Sequence, residues 1–431
     1  MYPLLKEPRT IVNYPESSAL IKCIDENSKF LKQINETAAQ IFALSNGSNS
    51  LSEISRKLSE KYNQDYEDIL SIVTEFINMS IVNDDIELLT NKETKNINLI
   101  GSKKYWIPTV ITIELTYKCP LFCKHCYREC SMQRKEFIEL DLIKKIADEM
   151  QKMGIIYVQL TGGDPLYHPQ FEEIVEVFIE KGIVVTILTS GFYKNEKIFD
   201  FFEKHKKSIA GIQVSIDGLA DTHNSIRGRR DSYLRSTKFI AKLAKIGYNI
   251  DVVTTLIDQK KEEIFQLSKI LKEKGVKRHR LAVLIDAGRS KKNGIDVNLR
   301  KKLIVDEWIE ELSEIIADDS FIVQLEEDHN FHSKNHCGAG FKLLRVDPDG
   351  NIHPCLMIDF PIYNLNNGTI SEYSAKYSNK FKNIAMPSKE SCKECPLAEN
   401  CNGCISEGII NHELVSTCYW YEDQWEKTNT F

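Results

Sequence analysis

The side chains best suited to chemistry in this chain are its thiols. Twelve of the 431 residues are cysteine, and they are not scattered. Four stand close together at Cys119, Cys123, Cys126 and Cys130. Seven more fall at Cys337, Cys355, Cys392, Cys395, Cys401, Cys404 and Cys418, and Cys23 is alone. The 206 residues from 131 to 336 contain none. Cysteine serving only as a small core residue would be spread more evenly, so two groups with an empty middle read as ligand sets. The opening MYPLLKEPRT shows no basic stretch followed by an apolar one, and a cytoplasmic location is the expectation. Structural disulfides are disfavoured in a reducing cytosol, so the thiols point to metal or redox chemistry.

Cys119-x3-Cys123-x2-Cys126 places three thiols on one short loop. Three thiolates fill three of the four ligand positions of a cubane iron–sulfur cluster and leave one iron open. A zinc site is compatible with the same spacing. Cys130 continues the row but fits no common ligand pattern, and it reads as a bystander. Cys23, inside the apolar run ALIKCID, reads as a buried thiol. The quartet Cys392-x2-Cys395-x5-Cys401-x2-Cys404 has too few residues between its pairs for a zinc ribbon, although a zinc knuckle remains an alternative. Residues 337–431 show little periodicity and are expected to bury little apolar surface alone. They are expected to fold around inorganic centres, whose binding free energy then becomes folding free energy.

The elements that must hold these thiols are legible as a repeating rhythm. Apolar strand-like runs at 109–115, 155–160, 184–189, 211–217, 250–256 and 279–285 alternate with helical patterns at 140–154, 171–182, 197–205, 233–247 and 261–275. Parallel strands need crossover helices, so the expected fold class is α/β with a parallel sheet. Six units fall short of the eight that close a barrel, which leaves a partial (β/α)6 barrel or an open sheet. Either arrangement puts the reactive site at the carboxyl ends of the strands, where the first cysteine loop begins. Ahead of it, helical patterns at 35–45, 49–62 and 66–82, flanked by strands, suggest a winged-helix-like domain over 1–95. The Asn-, Lys- and Thr-rich stretch 91–104 reads as a linker. The barrel is expected over 105–310, and the cysteine-rich domain over 311–431, beginning within a long helix at about 298–317.

The sequence CPLFCKHCY (119–127) at the end of the first strand resembles the signature of the radical S-adenosylmethionine (SAM) superfamily. In that family three cysteines hold a [4Fe–4S] cluster whose open iron binds the amino and carboxylate groups of SAM. His125 stands where an aromatic residue is usual. LTGGDPL (160–166) resembles the family's GGE motif, with Asp164 in place of Glu, and implies that the backbone at Gly162 and Gly163 holds the methionine amino group. LTSG (188–191), with Ser190, is similar to the next strand-end motif. VSIDG (214–218) and HNSIRG (223–228) resemble the fourth-strand motif of peptide-modifying members. That resemblance implies that Ser215 reaches the ribose or carboxylate of SAM and that Arg227 pairs with the carboxylate.

The C-terminal set, with VDPDGNIHPC (346–355) between Cys337 and the quartet, resembles the SPASM domain and its auxiliary [4Fe–4S] clusters. The resemblance implies a distal cluster on Cys392, Cys395, Cys401 and Cys418, and a proximal one on Cys337, Cys355 and Cys404. Three clusters and SAM are then the implied cofactors. Seven auxiliary cysteines leave one proximal iron without a thiolate, to be met by a substrate thiolate, by His336 or His353, or by water. Residues 1–95 resemble a PqqD-like element that binds the leader of a precursor peptide.

Together these resemblances imply an enzyme that joins a cysteine sulfur to a carbon of another residue in a ribosomally made peptide. Carbon–carbon crosslinking and anaerobic sulfatase maturation are the alternatives. An electron donor such as ferredoxin or flavodoxin is an implied partner. With a net charge of −6 and a pI near 6.0, the composition argues against nucleic acid as a partner. No apolar run approaches the ~18 residues of a membrane span.

Overall fold

The computed structural model describes residues 1–25, 28–285, 287–295, 301–325, 337–388, 391–392, 394–397 and 404–426. Cys401, His336 and the side chain of Cys23 lie outside the described residues. The chain forms two compact units, Met1–Ile107 with Met150–Ile156, and Pro108–Glu149 with Tyr157–Phe431.

The first unit opens with strands β1 (Tyr2–Leu5), β2 (Thr10–Asn13), β3 (Ser18–Asp25) and β4 (Ser28–Ile34). Three helices follow, α1 (Glu36–Leu44), α2 (Leu51–Tyr62) and α3 (Tyr66–Val82). Each starts at a side chain that can satisfy the orphan amides of a first turn. Asn35 accepts from Ala38 N, Ser50 and Glu53 form a capping box, and Asp65 accepts from Glu67 N. Ile54 and Leu58 of α2 and Ile69, Val73 and Ile77 of α3 share one core with Ile11 and Leu20 of the sheet. Strand β5 (Ile86–Leu89) pairs with β1, and β6 (Asn98–Gly101) runs parallel to β2. The sheet order is β4-β3-β2-β6. The stretch read as a linker therefore carries a strand. Its side chains are mostly exposed, so no hydrophobic alternation marks it, and its pairing with β2 is a backbone matter.

The second unit is built on a ten-stranded sheet. In chain order its strands are β7 (Val110–Thr116), β8 (Tyr157–Gly162), β9 (Val184–Thr189), β10 (Ile209–Ser215), β11 (Ile250–Leu256), β12 (Arg278–Val283), β13 (Ile322–Leu325), β14 (Leu343–Val346), β15 (Asn351–His353) and β16 (Tyr363–Asn364). The spatial order is β13-β12-β11-β10-β9-β8-β7-β14-β15-β16. Strands β7 to β14 pair in parallel throughout, and β15 and β16 are antiparallel additions. Helices α4 (Leu140–Met153), α5 (Phe171–Glu180), α6 (Ile198–Lys204), α7 (Ala220–Arg227), α8 (Ser232–Ile246), α9 (Lys261–Glu273), α10 (Arg289–Lys292) and α11 (Lys301–Ile316) occupy the crossovers. All seven residues of β7 are buried, the pattern of a central parallel strand covered on both faces.

Six parallel strands were expected and the sheet has eight. The segment after Cys337 is also not apolar-poor: Phe341, Leu344, Val346, Ile352, Tyr373 and Phe381 are all buried. Strand β14 docks beside β7 in register Leu344↔Ile111, so the cysteine-rich region continues the sheet instead of standing apart. The β14–β15 turn depends on Gly350, whose φ of +81° suits a residue without Cβ.

Candidate active site

The cysteine loop leaves the carboxyl end of β7 at Thr116, whose hydroxyl donates to Glu136 O at 2.7 Å and accepts from Lys118 N at 2.9 Å. Cys119 and Cys123 are buried and Cys126 is half-buried. With Leu121, Cys130 and Phe192 they form an apolar cluster edged by Tyr117 and Tyr167. Main-chain bonds fix the loop from outside. Phe122 N donates to Arg227 O (3.1 Å) and Lys124 N to Ile226 O (2.8 Å). Arg289 N donates to Cys126 O (3.0 Å), while its guanidinium reaches Cys123 O at 2.8 Å and Cys130 O at 2.9 Å.

The charges around these thiols are arranged in a chain. Arg227 Nη1 lies 3.6 Å from Cys123 Sγ, and its Nε lies 2.6 Å from Asp217 Oδ2. Asp217 is fully buried and also receives Thr255 N at 3.1 Å. His125 Nε2 stands 3.9 Å from the same carboxylate. Burial drives the His125 pKa down to about 4, so its ring is neutral near pH 7. Burial also pushes the Cys123 thiol up to about 11, against the pull of Arg227. Hydrogen bonding from Cys130, whose amide lies 3.4 Å from the sulfur, brings Cys126 down to about 6. Three thiols on one buried loop, with Arg227 and Arg289 to balance thiolate charge, fit an iron–sulfur cluster with one open iron.

The neighbouring strand ends close around this loop. Gly162 has φ +131°, and Gly163 N donates to Thr116 O at 2.5 Å. A Cβ on Gly163 would sit 2.5 Å from Lys118 O, so only glycine lets β8 end against the cysteine loop. Asp164 points inward. Its carboxylate accepts from Leu166 N (3.1 Å), Thr189 Oγ1 (2.9 Å), Ser190 N (3.0 Å) and the Ser190 hydroxyl. Burial raises its pKa against these four donors. Asp164 and Ser190 thus tie the ends of β8 and β9 together, with Ser236 Oγ donating to Ser190 O at 2.6 Å. Ser215 closes β10, half-buried, opposite Val253. Arg227 is held between Asp217 and Cys123, as described above.

The described C-terminal thiols fall into two neighbourhoods. Cys337 is near enough to both Cys355 and Cys404 to help push their pKa values up, although burial is the larger cause. Cys418 feels Cys392 and Cys395 in the same way, and these three line a small cavity with His412 and Trp420. His353 is buried, with Nε2 3.1 Å from Asp347 Oδ2.

One group escaped the sequence reading. Glu114 in β7 and Arg345 in β14 are both fully buried and meet at 2.6 Å. Glu114 also accepts from Arg128 Nε (2.8 Å) and Tyr117 OH (3.1 Å). Arg128 and Arg345 then converge on Asp359 and on the carbonyls of Leu356 and Ile358. The cysteine loop is thereby bound to the residues that follow Cys355. A lone charged residue in the otherwise uncharged strand VITIELT was the available signal, since such a carboxylate needs a buried partner.

Comparison with known proteins agrees with this layout. Residues 113–271 match the Radical SAM superfamily, and residues 23–80 match Coenzyme PQQ synthesis protein D (PqqD). The chain is 24% identical over 444 aligned positions, covering 98% of it and 97% of the relative, to the antilisterial bacteriocin subtilosin biosynthesis protein AlbA of Bacillus subtilis. It is 26% identical over 313 positions to the mycofactocin maturase MftC of Mycobacterium tuberculosis, covering 69% of this chain and 78% of that one. Its fold matches Streptococcus suis SuiB bound to precursor peptide SuiA, with a TM-score of 0.67, 14% identity, and coverage of 97% and 98%. The chain thus carries a radical SAM domain, built on the parallel sheet, behind a PqqD-like module.

Proposed function

We propose that this protein is a radical SAM maturase that joins a cysteine sulfur to a carbon of another residue within a ribosomally made precursor peptide. The observation that carries the reading is the buried Cys119, Cys123 and Cys126 loop at the end of β7, pressed against Gly162 and Gly163 of β8. Cys119, Cys123 and Cys126 would hold a [4Fe–4S] cluster, which would supply the electron that splits SAM and so a carbon radical able to take hydrogen from a peptide carbon. This chain's residues hold that chemistry in place. Arg227 and Arg289 balance thiolate charge, Asp217 orients Arg227, and the Asp164 carboxylate fixes the strand ends.

The two neighbourhoods of C-terminal thiols support two further clusters. Cys337, Cys355 and Cys404 would serve the proximal one, and Cys392, Cys395, Cys401 and Cys418 the distal one. His353 gives Nε2 to Asp347 and keeps a buried Nδ1 without a hydrogen-bond partner, so this imidazole and a thiolate of the peptide are the groups that would meet the open iron. The PqqD-like unit would take the leader as an added strand on β4, one of the two terminal strands of its sheet. A low-potential one-electron carrier would supply the reducing equivalent.

The test is anaerobic reconstitution followed by incubation with SAM, dithionite and the cysteine-containing peptides encoded beside the gene. The expected product has lost the mass of two hydrogens and one alkylatable thiol. Mass loss with every thiol still alkylatable would instead indicate carbon–carbon crosslinking. Release of 5′-deoxyadenosine with no peptide change would remove the maturase reading.

A further inference from the structure

The outer face of the cysteine loop is a small basic surface on an acidic protein. Three segments meet there: the loop itself, the end of α7, and α10. They are joined by the main-chain bonds given above and by Asn293 Nδ2 donating to Lys124 O at 2.9 Å. Exposed side chains on these segments are Phe122, Lys124, Arg229, Arg230, Lys291 and Lys292. Glu129 pairs with Lys292 (2.7 Å), Asp231 with Arg229 (2.8 Å), and Glu413 stands 3.6 Å from Lys291. Among the described residues no carboxylate offsets Lys124 or Arg230. The whole chain carries −6, so a local excess of positive charge is a departure from its average.

Two features connect this surface to Cys123. Phe122, with 59% of its surface exposed, is the residue directly before Cys123. The Arg289 guanidinium lies 4.0 Å from the Phe122 ring centroid and bonds Cys123 O. An exposed aromatic backed by an arginine, on segments that carry exposed cations, is the composition of a docking patch that steers by charge and seats by an apolar contact.

We propose that this face, centred on Phe122, docks a small acidic protein that carries one electron at low potential. The proposal rests on the radical SAM reading and specifies where its reductant binds. One electron leaves the reduced carrier, which is oxidised, and enters the cluster on Cys119, Cys123 and Cys126, which is reduced; no proton or bond is exchanged. Steering by the cations would raise the encounter rate by about tenfold or more at low ionic strength.

The test uses the reconstituted holoenzyme and the double variant Arg230→Glu/Lys291→Glu, two positions outside the cysteine loop. Binding of oxidised flavodoxin is measured by calorimetry, and SAM cleavage is driven either by reduced flavodoxin or by dithionite. The expected result is flavodoxin affinity reduced by about tenfold in the variant, with wild-type affinity falling steeply as salt is added. Flavodoxin-driven cleavage should slow in proportion, while dithionite-driven cleavage keeps its rate. Unchanged affinity, with no salt dependence, overturns the docking surface. Absence of cleavage with dithionite in the wild type would instead overturn the radical SAM reading, and the binding measurement would still decide the surface. Equal loss with both reductants would mean that the substitutions damage the site itself, and the proposal falls.

Discussion

The buried pair Glu114–Arg345 offers a quantitative test of how the cysteine-rich segment is attached. Both side chains are fully buried, and the 2.6 Å contact joins β7 to β14. Breaking a buried ion pair by removing one partner costs about 3–5 kcal/mol, because the other charge is left uncompensated. Asp359 contributes little to that sum, since 73% of its side chain is exposed and such pairs contribute about 0–1 kcal/mol. Arg345→Met leaves Glu114 with Arg128 and Tyr117, so its cost should lie near the lower end, about 3 kcal/mol. Glu114→Gln strips both guanidiniums of their buried anion and should cost about 3–5 kcal/mol. The double variant should cost less than the sum by about 1–2 kcal/mol, because each change removes the reason for the other. Urea unfolding of the reconstituted protein, followed by fluorescence of the buried Trp420 and Trp425, supplies the three numbers. Single losses below about 0.5 kcal/mol, or strict additivity, would refute the view that this pair anchors the segment.

Other consequences are as specific. Gly163→Ala would set a Cβ 2.5 Å from Lys118 O, a backbone atom that cannot swing aside, so SAM affinity by equilibrium dialysis should fall while α-helix content is kept. Asp164→Ala should cost about 2–4 kcal/mol, because amides and hydroxyls of the β8 and β9 ends lose their shared acceptor; Asp164→Glu should not restore stability, since the shorter chain already reaches all four donors. His279 is buried between Thr254 and Ser268, and burial holds its pKa at about 3 against an ordinary 6.5. Its folded form refuses a proton that the unfolded chain accepts, so its contribution to stability is whole above pH 6.5. Below that it is lost by up to about 1.4 kcal/mol per pH unit down to about pH 3. His279→Gln should flatten the pH dependence of the unfolding free energy, measured by urea titration, by that slope.

Much of this protein is legible in its sequence because parallel strands are apolar runs punctuated by helices. Strands β7 to β12 and the cysteine loop after β7 follow from such runs. Strand β6 does not, because its pairing with β2 depends on main-chain groups and its side chains face solvent. Strand β14 escaped because four residues, LLRV, with an arginine among them, look like loop until Glu114 is known to face Arg345 across 231 positions of sequence. The thiol sets were visible as spacing, and the Gly162-Gly163 turn as a motif. The partners that make the site work were not. Arg289 contacts the loop from 159 or more residues away, and Asp217 gains its meaning from Arg227 and His125. Asp164 and Ser190 were visible as members of strand-end motifs, but the hydrogen bond that joins them was not.

The central claim is that the thiols of Cys119, Cys123 and Cys126 carry a cluster that splits SAM. The most direct measurement is 5′-deoxyadenosine formed by the anaerobically reconstituted protein with SAM and dithionite, beside the variant with all three cysteines changed to alanine. The expected result is steady release of 5′-deoxyadenosine from the wild type and none above background from the variant, which should still hold the iron of its C-terminal thiols. Equal release from both, or none from a wild type with its full complement of iron, would contradict it.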